Sequence, residues 1–115
     1  MMSQPNLPPL PNLLAFDAAA RLGSFVRAAE MLSITPSAVS HRISTLEGWL
    51  GQALFRRANR RIELTEAGAR YHVEIRAGLE IIEQATRRLK SAAQGSRRQL
   101  RISVAPAIGS KWLVA

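Results

Sequence analysis

A mainly α fold, three short helices and a small β hairpin followed by one long helix, is what this sequence predicts, and three observations predict it. Apolar residues recur at helical spacing through Leu13, Phe16 and Ala20, through Phe25, Ala28, Ala29 and Leu32, and through Val39, Ile43, Leu46 and Leu50, the pattern of helices that bury one face. In LFRRANRRIEL that period gives way to two short apolar-and-basic runs around Ala58-Asn59, the mark of a hairpin. From Thr65 to Gln94 no proline interrupts a pattern that again repeats by three, four and seven.

Taken in order, Pro5, Pro8, Pro9 and Pro11 predict an extended opening of eleven residues, and a first helix over 12–22 stopped by Gly23. Ser24 is placed to cap a second helix ending near Leu32, whose alanines allow a crossing helix to approach closely. Ser33 and Ile34 make a very short connection. Thr35-Pro36 then starts a third helix, because a hydroxyl accepts an orphan N–H and proline at the first position wastes none. With Val39 at zero on a wheel of about 100° per residue, Ile43, Leu46 and Leu50 fall within about 40°, while Ser37, Ser40, His41 and Ser44 fall between about 100° and 200°. One stripe faces the core and a coherent polar face points outward. Gly51 stops this helix, and Trp49 is expected at the edge of the core. Leu54, Phe55, Ile62 and Leu64 anchor the hairpin, whose tip is almost all arginine. Thr65 caps the fourth helix, with Glu66 in its first turn and Arg87, Arg88 and Lys90 in its last, matching the helix dipole. Gly95 and Ser96 break the pattern, after which LRISVA alternates like a strand and Pro106 to Ala115 reads as the opening of a next domain.

Composition narrows the function. At 115 residues the chain has room for one small domain or a domain with a tail, and 47% apolar residues exclude a wholly disordered polypeptide. Sixteen Lys and Arg against eight acids, a net charge of +8, point to a polyanionic partner. The basic focus is local: Thr35 to Ile62 holds Arg42, Arg56, Arg57, Arg60 and Arg61 against Glu47 alone. No apolar run approaches the roughly 20 residues of a bilayer span, and MMSQPNLPPLPN lacks the features of a signal peptide, so nucleic acid is expected before membrane and a cytoplasmic location before export. The absence of cysteine removes disulfides, thiolate zinc sites and thiol nucleophiles. Ser40 and His41, adjacent in a helix, point about 100° apart and form no catalytic dyad. Two distant histidines and no phosphate-loop motif leave no expectation of an enzyme, a metal or a cofactor.

A capped helix that exposes small polar groups beside an arginine-tipped hairpin is what a winged helix-turn-helix needs to enter a DNA groove and hold phosphates. Thr35, Pro36, Ser37, Ser40, His41, Arg42 and Ser44 on the helix, and Arg57, Asn59, Arg60 and Arg61 on the wing, are the predicted contacts to double-stranded DNA. On the fourth helix Tyr71, Ile75, Leu79, Ile82 and Leu89 make an apolar seam too long for the small domain to cover, and a second copy of the chain is its predicted cover. The rival is a protein-interaction module acting through that long helix.

The stretch from LPPLPNLLAFDAAAR through GSFVRAAEMLSITPSAVSHRISTLEGWLGQALFRRANRRIELTEAGARY resembles the N-terminal domain of LysR-type transcriptional regulators, with the shared pattern SF..AA..L..T.SAVS..I..LE..LG..LF.R and LT.AG. It is most like the branch that includes the glycine cleavage system regulator. The resemblance implies a winged helix-turn-helix over 1–64, a linker and dimerisation helix over 65–94, and a hinge with the start of an effector-binding domain over 95–115. It further implies a homodimer, a tetramer when full length, a promoter operator as target, and a small-molecule effector held by the domain that follows. In the family the positions matching Pro36, Ser37, Ser40 and His41 touch the operator, and those matching Asn59, Arg60 and Arg61 meet phosphates or the minor groove. Proline and histidine stand where many members carry glutamine and arginine, which removes two bidentate base contacts and shifts the reading towards backbone approach, phosphates and DNA shape.

Overall fold

The computed structural model describes residues 6–103, with side chains to residue 95. The order is α1 (Leu10–Leu22), α2 (Phe25–Leu32), α3 (Pro36–Leu50), β1 (Phe55–Ala58), β2 (Arg61–Leu64) and α4 (Glu66–Ser103). Two compact units divide the chain, residues 1–77 and 78–115.

Three helices and the hairpin form the first unit around Phe16, which is fully buried. Its ring meets Phe55 edge-on at 5.7 Å and Tyr71 at 5.6 Å, so one side chain of α1 gathers the hairpin and the start of α4. Ala15, Ala18, Ala19, Ala28 and Ala29 belong to the same buried cluster, and these small residues let α1 and α2 approach closely. Val39, Ile43 and Leu46 are buried as the wheel predicts, with Leu50 half-buried behind them. Burial pushes the Tyr71 phenol above its ordinary value.

The caps follow the hydroxyls. Ser24 Oγ accepts the Arg27 N–H, Thr35 Oγ1 the Ala38 N–H and Thr65 Oγ1 the Gly68 N–H, at 3.0 to 3.1 Å, each contributing about 1 kcal/mol. Between α2 and α3 the tight turn rests on Ser33 in the left-handed region (φ 59°), with the Ile34 N–H reaching Ala29 O. The strands pair antiparallel, Phe55 with Leu64 through Ala58 with Arg61.

Three expectations need correction. α1 begins at Leu10, two residues before the predicted start, because Pro11 sits in the first turn where its missing N–H costs nothing. Trp49 is 48% exposed, because it lies about 80° off the buried stripe. α4 runs through Gly95 and Ser96 to Ser103, over the predicted break and the first residues of the predicted strand. A helical glycine costs only about 1 kcal/mol, which the surrounding Ala92, Ala93, Gln94, Arg97 and Arg98 absorb as good helix formers. The rest of the predicted strand, and the segment to Ala115, lie outside the described residues.

Gly68 shows how closely α4 starts against the loop before the wing. Thr65 N–H bonds Leu54 O at 2.9 Å, Thr65 Oγ1 donates to Ala53 O at 2.7 Å, and a Cβ added at Gly68 would collide with the Leu54 carbonyl. Gly68→Ala is therefore expected to destabilise by about 2 kcal/mol, since backbone must shift to relieve the overlap; urea unfolding checks it, and an unchanged midpoint would show that the loop yields freely.

Candidate nucleic-acid interface

Thr35 and Pro36 open α3 so that its first turns project from the domain, and Ser37, Ser40, His41 and Ser44 are all exposed there. The wing lies alongside. Its two-residue tip, Asn59 and Arg60, has φ of 52° and 66°, the geometry of a type I′ turn whose twist suits a two-residue hairpin. Asparagine accepts that conformation readily, but arginine at the second position gives up roughly 1 kcal/mol relative to glycine. A cation is kept at the tip against the local backbone preference.

α3 and the wing enclose an open groove. Pro36, Ser37 and Ser40 form one wall, and Arg57, Arg60 and Arg61 the other. A second hollow continues along α3 past Ser40, Ser44 and Glu47 opposite Arg56 and Arg57. Of the predicted contacts the structure thus brings together six in the groove, with Ser44 on its continuation. Asn59 is exposed at the tip and His41 is exposed on the outer face of α3. Arg42 stands apart: it is half-buried, and its carbonyl accepts Asn12 Nδ2 at 2.8 Å on the flank packed against α1.

Several residues were missed. Gly23, Ser24 and Val26 reach the same groove, so the positive end of the α2 dipole faces it; Ser24 reads from sequence only as a cap. Arg56 pairs across the strands with Glu63 at 3.4 Å, both ends half or more exposed, which lends the hairpin little stability. Glu47 faces β1 and is absent from the predicted set.

On α4 the predicted seam divides. Tyr71 belongs to the core of the first unit beside Phe16, a correction to its place in a dimer seam, because three turns of α4 pack on that domain. Ile75 is half-buried and Leu79 buried, whereas Ile82 and Leu89 are exposed at 56% and 74%. Ile81, also exposed, extends the apolar strip that Ile82, Ala85 and Leu89 make.

Among the described residues no group of three or more His, Asp or Glu could hold a metal ion, and no helix is long and apolar enough to cross a membrane.

A capped helix held at the surface by two others, beside a hairpin that carries arginines to the same groove, defines a winged helix-turn-helix protein. Residues 10–69 match the bacterial regulatory helix-turn-helix proteins of the lysR family, and the chain belongs to that family. Over 108 residues it is 47% identical to the glycine cleavage system transcriptional activator of Escherichia coli (strain K12), an alignment covering 94% of this chain and 35% of that protein. The chain thus spans about a third of the length of the curated relatives it matches. The crystal structure of the CbnR_DBD–DNA complex is similar with a TM-score of 0.65 and 31% identity, over 75% of this chain and 99% of that one. That of the BenM_DBD/benA site 1 DNA complex is similar with a TM-score of 0.69 and 30% identity, over 76% and 99%.

Proposed function

We propose that this chain is the DNA-reading part of a LysR-type transcriptional regulator, acting in the cytoplasm on double-stranded operator DNA as a dimer joined through α4. The groove carries the reading: small side chains on α3 admit the duplex closely, and three wing arginines line the opposite wall at phosphate-contacting positions. The strained Arg60 supports it, since a disfavoured backbone that keeps a cation at the tip points to use of that cation. The work is binding, with no bond made or broken. His41 and Ser40 read base edges, the wing supplies sequence-independent attraction, and an effector acts through the domain that the family resemblance places after the linker helix.

Duplexes selected from a randomised pool by the wild-type chain supply the test. His41→Ala is expected to relax base preference at one position per half-site. Arg60→Ala should weaken selected and random duplexes alike and lower the salt slope by about 1. Equal loss on selected and random DNA for both variants removes the base-reading role of His41. A chain with no saturable duplex complex at low salt would instead be a protein-interaction module acting through α4.

A further inference from the structure

Glu47 is out of place on electrostatic grounds. It lies in the last turn of α3, where the helix dipole disfavours an acid, and it is the one acidic residue between Thr35 and Ile62, beside arginines placed to meet a polyanion. Its carboxylate accounts for it. Glu47 Oε2 accepts the Leu54 N–H at 2.8 Å and the Phe55 N–H at 3.2 Å. Those amides open the wing, and Leu54 is 1% exposed, so a lost partner there leaves a buried donor. Thr65 ties the two ends of the wing to each other; Glu47 ties the wing to the helix.

We propose that Glu47 is a positioning residue for DNA recognition: by holding the amides of Leu54 and Phe55, where the chain enters β1, it sets the wing arginines at a fixed distance from the exposed face of α3. This deepens the DNA-binding reading and rests on it. Arg57, two residues along β1 from Phe55, lines both hollows beside α3, and is the cation this tether places most directly.

Two substitutions separate the tether from the charge. Glu47→Gln removes the negative charge but keeps an oxygen that can accept both N–H groups; Glu47→Ala removes both. If the carboxylate acted only as a repulsive charge, both variants would bind duplex of random sequence more tightly. Positioning predicts that Glu47→Gln binds at least as well as wild type, while Glu47→Ala binds about tenfold more weakly at low salt with a salt slope lower by about 1. A merely structural loss lowers affinity in parallel at every salt concentration and leaves the slope alone. Arg57→Ala on the Glu47→Ala background should add little, because the two share one effect.

Amide exchange in the free protein gives a readout independent of DNA: the Leu54 and Phe55 amides should lose protection in Glu47→Ala and keep it in Glu47→Gln. Lost protection with an unchanged slope overturns the proposal while leaving DNA binding intact, as does tighter binding by both variants. Wild-type chain that forms no duplex complex overturns the DNA-binding reading itself, and the proposal falls with it, whatever the exchange shows.

Discussion

Asp17→Ala is expected to lower unfolding free energy by about 3 kcal/mol, a large share of the roughly 5–15 that a small domain has. The Asp17 side chain is 3% exposed in the middle of an apolar run, yet it accepts Arg76 Nη1 at 2.7 Å on one oxygen and meets His72 Nε2 at 2.8 Å on the other, with Arg21 Nε at 3.2 Å. Arg21 is 41% exposed, so its pairing is screened and adds little. His72 and Arg76 are only 17% and 20% exposed, and the alanine variant takes an acceptor from each while opening a small void. Asp17→Asn keeps the volume and one acceptor oxygen and should lose about half as much. Chemical denaturation with an unchanged slope is the measurement. A shift under about 0.5 kcal/mol for Asp17→Ala would mean the network contributes nothing net. Pairing Asp17→Leu with Arg76→Met should recover only part of the loss: a buried ion pair exchanges for apolar groups of similar size at little net cost, but His72 still lacks its acceptor.

Asp17 also carries no local signal of its role. Local signals placed the helices well, because caps such as Ser24, Thr35 and Thr65 and stops such as Gly23 and Gly51 act within a few residues. The outward face of α3 was equally legible, since 3.6-residue periodicity fixes which side of a helix a residue takes once Val39 and Ile43 are assigned to the core. Asp17 finds its two largely buried partners, His72 and Arg76, 55 and 59 residues away, and nothing in AFDAAA announces them. Glu47 was visible as an acid in a basic stretch, but its role depends on how the chain turns after Gly51, which no periodicity encodes. The early stop assigned to α4 has the opposite cause: Gly95 and Ser96 are local signals, and their cost is too small to end a helix with good formers on both sides.

Ile82→Glu combined with Leu89→Glu is expected to have the second large effect, converting the dimer proposed above to a monomer at micromolar concentrations. Both side chains are more than half exposed on α4 and lie seven residues apart, within about 20° of one another around the helix. Ala85 and Ile81 flank them on the same strip. Burying Ile82 and Leu89 against a second copy would each contribute about 1.5–3 kcal/mol, and the strip repeats as a coiled-coil seam does; four glutamates in its place bring like charges together in an apolar setting. Sedimentation equilibrium reads the mass directly. DNA supplies the second readout, because two linked domains bind two half-sites with an avidity gain on the order of 10² to 10⁴ that a monomer lacks. The variant should therefore lose about that factor on a duplex with two half-sites and almost nothing on a single one. Equal loss on both would place the fault in the folding of the DNA-binding domain, and a variant that still sediments as a dimer would place the interface away from Ile82 and Leu89.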